Sequence, residues 1–182
     1  MNTNEKFLRF ASVVLLVFAF VFAQSLSPVA AAPQGQAKIL ASTDINAHLF
    51  PTVVFFHGQT ATSQMDNSGG LKFSDGLLVL AALVDNSGYS TQIRMKYQGY
   101  LLTELPIEIG GQTLKPGAYG FGFLDNNVFT VMDVGANDVL TATSTRDAAI
   151  SHPVPLQFVA TPDGANYRLY HGRDYVELHR AR

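Results

Sequence analysis

The chain of 182 residues contains no cysteine and no tryptophan. Without cysteine it has neither a disulfide framework nor a lipid-modified cysteine anchor, so an apolar core has to hold the fold. Charged residues make up 14% of the chain, give a formal net charge of −2 and form no run of one sign. Nucleic-acid binding needs clustered lysine and arginine, so the sequence predicts no nucleic-acid partner.

Long apolar runs are also scarce, and the most apolar segment lies near the N-terminus. Two positive residues precede a short apolar run, Phe10–Ala23, and small residues close the segment. That order predicts a helical signal peptide over residues 1–31 that is cleaved after Ala31, with cleavage after Ala23 or Ala32 as the alternatives. The run is shorter than the roughly 20 residues of a membrane-spanning helix. We therefore expect a periplasmic or secreted product without stable membrane insertion.

The remaining chain, residues 32–182, has the size of one domain and shows no internal boundary. Short β-branched and aromatic runs alternate with turn residues throughout an ordered core expected at 37–179. This rhythm predicts an all-β protein of about nine to eleven strands, a single-domain antiparallel β-sandwich with meander hairpins. A small closed β-barrel is the alternative architecture.

Individual segments carry more specific predictions. Thr52–Phe56 carries apolar residues on both faces, which favours a strand that is covered on each side. Gln59–Gly70 is small and polar and predicts a long loop. Thr91–Glu104 fits a half-exposed strand or a helical turn followed by a strand, and Thr145–Ser151 a short helix. Gly76–Val84 fits a central strand or a short buried helix, and the turn residues around it favour the strand. The other predicted strands are Lys38–Ser42, Ile107–Ile109, Gln112–Leu114, Tyr119–Phe123, Val128–Met132, Val139–Ser144, Leu156–Ala160, Tyr167–His171 and Tyr175–His179.

Turn residues connect these segments. Gly110–Gly111 predicts a two-residue hairpin turn, because glycine adopts positive φ without steric cost. The strands between residues 105 and 135 are expected to form a meander. Asp66–Gly69 repeats the sequence of Asp85–Gly88, and both predict Asx-type turns.

Residues that could carry chemistry form no known catalytic motif. The five histidines lack the spacing of a zinc site, so the sequence predicts no metal and no cofactor. No serine lies in a nucleophile motif. His171 and His179 lie on one predicted hairpin and could face each other. Either histidine with a nearby acid would serve a small secreted hydrolase, which is the enzymatic alternative.

Aromatic residues concentrate in the final hairpin and predict a ligand-binding surface, because exposed tyrosines offer both apolar area and a polar tip. Core packing is the structural explanation for the same tyrosines. Gly120 and Gly122 leave one face of a strand without side chains, so that a packed layer or, more rarely, a ligand can approach the backbone closely. The candidate ligand-binding residues are Tyr167, Tyr170, His171, Arg173, Tyr175 and His179.

The segment Leu114–Phe121 resembles the Leu-x-Pro-Gly-x-Tyr-x-Phe hairpin of an uncharacterised family of exported bacterial β-domains, and Tyr167–Val176 is similar to the end of such a domain. The resemblance implies a bacterial, exported, β-rich protein and transfers no catalytic residue. We therefore expect a non-enzymatic binding or accessory module for a small ligand, a glycan or a protein. A structural or assembly protein that pairs through its edge strands is the third hypothesis.

Overall fold

The computed structural model describes residues 36 to 182, which belong to one compact unit, Gly35–Arg182. The predicted signal peptide lies outside the described residues. The described part contains one short α-helix, α1 (Thr91–Lys96), and the following strands. They are β1 Lys38–Leu40, β2 Val53–Phe56, β3 Gln59–Lys72, β4 Leu78–Asp85, β5 Gly99–Thr103, β6 Ile107–Ile109, β7 Gln112–Leu114, β8 Gly117–Leu124, β9 Val128–Met132, β10 Asp138–Thr143, β11 Thr145–Arg146, β12 Leu156–Ala160, β13 Tyr167–His171 and β14 Asp174–Arg180.

The strands form two antiparallel sheets. The large sheet has the order β1-β3-β4-β5-β8-β9-β10, with β2 paired to β3. The small sheet has the order β12-β13-β14-β6-β7, with β11 paired to β14. Within the described residues neither sheet closes on itself, so the predicted all-β sandwich is confirmed over the alternative closed barrel.

The main core lies between the two sheets. Side chains at every second position of each sheet meet there, as the two-residue period of a strand requires. Phe121, Phe123 and Phe129 from β8 and β9 pack against one another with ring centroids 4.9 to 6.5 Å apart. The small sheet contributes fully buried residues such as Ile107 and Leu169. This apolar contact holds the two sheets together.

A second core covers the opposite face of the large sheet. Here β2 and α1 lie over β5 and β8, and the Phe56 ring stacks on Tyr97 at 3.9 Å. Gly120 and Gly122 make this possible: a Cβ at Gly120 would lie 2.5 Å from the Phe56 ring, and one at Gly122 would collide with the Lys96 carbonyl oxygen. Of the two explanations for these glycines, the packed layer is therefore confirmed.

Three predictions for the region before β4 are wrong. The segment predicted as a loop is part of β3, whose small residues allow close packing; a Cβ at Gly70 would meet Leu80. The register of β3 slips between Gln64 and Ser68, and the Ser68 hydroxyl donates to the Met65 carbonyl there, so a bulge replaces the predicted Asx turn. β2 is covered on one face only: Val54 and Phe56 are buried, whereas Val53 and Phe55 are exposed.

For the remaining segments some predictions are confirmed and others are wrong. The helical alternative for the start of the Thr91 segment is confirmed: Ser90 caps α1 by accepting from the Ile93 amide, and β5 follows. The helix predicted at Thr145–Ser151 is wrong, since Thr145 and Arg146 pair with β14. The predicted meander splits at Pro116, where the chain passes from the small sheet to the large one.

The predicted turns at glycine and Asx residues are otherwise confirmed. Gly110 and Gly111 have φ of 58° and 77° and join β6 to β7. The Asp85 carboxylate accepts from the Ser87 amide at 3.0 Å, which is the predicted Asx turn. Gly172 with φ 63° and Arg173 turn the chain between β13 and β14.

Candidate functional site

A cleft of about 350 Å³ lies where the end of β10 in the large sheet approaches β14 in the small sheet. Its walls combine hydroxyl groups, one aromatic ring and one carboxylate with small residues that leave room between the sheets. The lining residues are Gly110, Ala142, Thr143, Thr145, Tyr175, Val176 and Glu177.

The cleft exists because the chain changes sheets at Ser144. Thr143 pairs with Val128 in the large sheet, whereas Thr145 pairs with Tyr175 in the small one. Ser144 is buried between them, and its amide donates to the Asn127 carbonyl at 2.8 Å. The switch separates strands that would otherwise continue side by side, and the space that opens is the cleft.

The same switch leaves β14 without a neighbouring strand at Glu177. β11 pairs with Asp174 and Tyr175, and β6 begins its pairing with β14 at Leu178. In the β13–β14 hairpin the residues flanking the two-residue turn form a hydrogen-bonded pair, so alternate residues of β14, including Glu177, direct their N–H and C=O away from β13. In the described part of the chain the Glu177 N–H has no ladder partner on that side. A strand donor therefore faces the cleft.

Charge and aromatic contacts fix the side chains at the cleft wall. The Arg168 guanidinium lies 4.4 Å from the centre of the Tyr175 ring and bonds Glu177 with a nitrogen–oxygen distance of 2.9 Å. The Tyr170 ring lies 5.0 Å from that of Tyr175. These contacts hold the Tyr175 ring in place at the cleft wall.

The loop after β11 covers the β13–β14 hairpin near its turn. The Tyr170 hydroxyl donates to the Asp147 carboxylate at 2.9 Å, and burial together with this acceptor raises the pKa of Tyr170. The Arg173 guanidinium donates to the carbonyls of Ile150 and Ser151. Arg173 thus tethers a loop, which gives this predicted ligand residue a structural contact.

The structure brings only three of the six predicted ligand residues onto one face. Tyr170, Tyr175 and His179 share the outer face of the small sheet, on the side away from the large sheet. Tyr167 and His171 point the opposite way, into the space between the sheets. Only Tyr175 lines the cleft.

The two inward residues serve packing. Tyr167 is buried, contacts the Phe73 ring edge-on and bonds the backbone of Ala37 through its hydroxyl. The His171 ring lies 5.8 Å from that of Phe123. Burial lowers the pKa of His171, and the nearby Asp174 carboxylate opposes that shift.

The two histidines of the hydrolase hypothesis do not face each other. His171 points between the sheets, and His179 lies on the outer face, where its Nε2 is 3.7 Å from the Glu108 carboxylate. Both members of the His179–Glu108 pair are partly exposed. The expectation that the two histidines meet at one end of the hairpin is therefore wrong, because residues eight apart on this two-residue hairpin fall on opposite faces.

Most of the cleft residues are not among the predicted ligand residues. The sequence predicts a strand at Thr143, a helix from Thr145 and a hairpin position without a functional role for Glu177. The signal that was available is the alternation of hydroxyl residues from Thr141 to Thr145, which is typical of a polar, exposed strand. What the sequence does not show is the change of sheet at Ser144, which depends on tertiary pairing.

The described residues also contain two other grooves. An apolar groove of about 390 Å³ lies on the outer face of the large sheet beside Leu49 and Leu102. A groove of about 530 Å³ with both apolar and polar lining residues lies between α1 and Phe123. No three histidine, aspartate or glutamate side chains in residues 36–182 converge as metal ligands. No helix in this part of the chain is long and apolar enough to cross a membrane.

Comparison of the chain with protein-family models, with curated proteins and with solved structures found no match.

Proposed function

We propose that the protein is an exported, non-catalytic binding or accessory module that takes a polar ligand in the cleft at Glu177. The observation that carries the proposal is the gap in the pairing of β14, where the N–H of Glu177 faces a cleft between two sheets. An unpaired strand segment is a ready site for a ligand that offers matching donors and acceptors.

The chemistry of the walls defines the ligand class. Thr143 and Thr145 contribute hydroxyls that both donate and accept, and Glu177 contributes its backbone N–H. Tyr175 adds a flat ring whose orientation Arg168 fixes. This set matches the hydroxyl groups of a short glycan or the amide groups of an extended peptide, and the volume of about 350 Å³ lies in the range of small-ligand sites.

The cellular location in this proposal follows from the N-terminal segment. A positive start, a short apolar run and small residues at the end favour export and cleavage after Ala31. The resemblance of the Leu114–Phe121 hairpin to exported bacterial domains supports the same location. Mass spectrometry of the protein recovered from the periplasm or the medium should give a chain that begins at Ala32. An intact chain confined to the cytosol would contradict export.

Binding is tested by titrating the isotope-labelled protein with two sets of probes, neutral oligosaccharides and short unstructured peptides, while amide chemical shifts are recorded. We expect one set to shift the Glu177 amide and its neighbours in β14. Thr143→Leu places an apolar side chain in the cleft and should abolish these shifts. Thr141→Leu is the matched control, because Thr141 is equally exposed on the same strand but does not line the cleft.

The outcomes separate the parts of the proposal. Binding that shifts other residues, or that survives Thr143→Leu, would place the ligand elsewhere and overturn the cleft as the site. Absence of binding by both sets of probes would count against recognition of hydroxyl or amide groups. Turnover of either set by the wild-type protein would contradict the non-catalytic assignment.

A further inference from the structure

β2 differs from the other sheet edges in the described part of the chain. β1 and β7 have only three residues each, and β12 lies beside β1 and β3. β10 begins with the charged Asp138 and has a register irregularity before Leu140. Short length, charge, bulges and cover are the usual protections of an edge strand. β2, Val53–Phe56, contains no charge, no proline and no bulge.

The open backbone groups of β2 are those of Val53 and Phe55. The Ser63 amide donates to the Thr52 carbonyl at 2.9 Å, so Thr52 belongs to a hydrogen-bonded pair with β3. In an antiparallel ladder such pairs alternate with pairs whose backbone groups point outward. Val53 and Phe55 are in the outward set, and β2 has no strand on that side among the described residues.

The open stretch is limited at both ends. The His57 amide, which points to the same side, already donates to the Val134 carbonyl at 2.7 Å. Pro51 has no N–H to offer. A strand that joins β2 therefore has two residues to bond, which lie on either side of Val54.

The side chains at the open stretch are apolar and face water. Val53 is 55% exposed and Phe55 56% exposed, while Val54 and Phe56 point into the core over the large sheet. Exposed β-branched and aromatic residues on one strand form favourable cross-strand pairs when a second strand lies opposite. The edge thus offers donors, acceptors and apolar surface together.

We propose that a second copy of this chain occupies this edge, with the two β2 strands antiparallel about a two-fold axis at Val54. Val53 then lies opposite Phe55 of the partner subunit, and Phe55 opposite the partner subunit's Val53. Each open N–H meets an open C=O, because two residues spaced symmetrically about one position complement their own copy. Both cross-strand pairs join a β-branched and an aromatic side chain. This interface is separate from the cleft at Glu177.

The first test is sedimentation equilibrium of the purified full chain from about 1 µM to about 1 mM, the range of a moderate to weak dimer. We expect a monomer–dimer equilibrium in this range. Phe55→Lys places a charge on the edge, and this variant should remain monomeric over the whole concentration range. Met95→Lys, at a residue that is 61% exposed on α1, is the matched control and should dimerise like the wild type.

A second variant acts on the backbone without changing charge. Val53→Pro removes the outward N–H of Val53 but no hydrogen bond to β3, since proline is tolerated on an open edge. Loss of this donor from both copies should weaken the dimer about tenfold or more. Circular dichroism and unfolding of both variants should match the wild type, because the changed groups face solvent.

Disulfide trapping tests the register. Because the chain contains no cysteine, only the introduced cysteines can form disulfides. In the proposed pairing residue 53 lies about 5.5 Å from residue 55 of the other copy, but like residues lie about 8 Å apart between Cα atoms. A mixture of Val53→Cys and Phe55→Cys proteins should therefore form mixed disulfide dimers under mild oxidation, whereas either protein alone should not.

Three results would overturn the proposal. One is a wild-type protein that stays monomeric over the whole range. Another is a dimer that Phe55→Lys and Val53→Pro leave unchanged, which would place the interface elsewhere. The third is efficient trapping of either single-cysteine protein by itself, which would show a different register.

Discussion

Tyr97 has a side-chain oxygen that is buried and has no hydrogen-bond partner within the described residues. Its ring stacks on Phe56 and meets Tyr89 edge-on at 5.3 Å, and burial raises the pKa of its hydroxyl. An unpaired buried hydroxyl opposes folding, because it loses its bonds to water without replacement. The Tyr97 side chain therefore stabilises the core through its ring and destabilises the folded state through its unpaired hydroxyl.

Tyr97→Phe should raise the free energy of unfolding by about 1 kcal/mol, since it keeps the ring contacts and removes the unpaired hydroxyl. Tyr89→Phe is the matched control. Its hydroxyl donates to the carbonyls of Phe56 and Gln59, so its removal should cost about 1 kcal/mol. Urea unfolding measures both changes. A loss of stability in Tyr97→Phe equal to that in Tyr89→Phe would contradict the account.

His171 makes stability depend on pH. Burial lowers its pKa in the folded protein below the value of the unfolded chain. As the pH falls below about 6.5, the unfolded chain binds a proton that the folded protein does not yet bind, so stability decreases. His171→Gln should reduce this decrease between neutral and mildly acidic pH, measured by urea unfolding at several pH values. His48→Gln, at an exposed position, is the control; an equal effect in both variants would contradict the role of burial.

At the scale of elements, β8 joins the two cores. Phe121 and Phe123 point between the sheets, and the intervening Gly122 lets the end of α1 rest on the strand. Gln98 adds to this contact: its side chain bonds both the N–H and the C=O of Phe123, as a neighbouring strand would. The position of α1 thus depends on a bare strand face.

Gly122→Ala should lower the free energy of unfolding by about 2 kcal/mol or more, because the new Cβ collides with backbone, which cannot rotate away as a side chain does. Gly88→Ala is the control. A Cβ there finds its nearest neighbour, the Gln59 side chain, at 3.9 Å, so stability should change little. Thermal or urea unfolding compares the two; equal effects would contradict the close approach of α1.

Elements with strong local patterns were predictable. The Gly110–Gly111 turn and the alternation of Tyr119, Phe121 and Phe123 fix their own structure, because turn chemistry and the two-residue period act locally. β3 was not predictable, because its small polar residues are typical of a loop. They form a strand through pairing with the neighbouring strands. The exposed face of β2 likewise depends on which elements of the fold pack over it.

At the scale of the whole molecule, the candidate site arises from topology. The final hairpin was predictable, and so was the presence of tyrosines there. The cleft was not, because it needs the chain to leave the large sheet at Thr143 and enter the small sheet at Thr145. Tyr175 is the one predicted ligand residue that this switch places at the cleft. Pairing between distant strands, rather than local sequence, decides which residues meet a ligand.

The central claim is that the small sheet leaves β14 unpaired at Glu177. Residue-resolved amide hydrogen exchange of the free protein tests it directly. Val176 and Leu178 belong to hydrogen-bonded pairs with β13, so their amides should exchange slowly. The Glu177 amide should exchange far faster than both, and it should slow when an oligosaccharide or peptide occupies the cleft. Exchange at Glu177 as slow as at Val176 and Leu178 in the free protein would contradict the account.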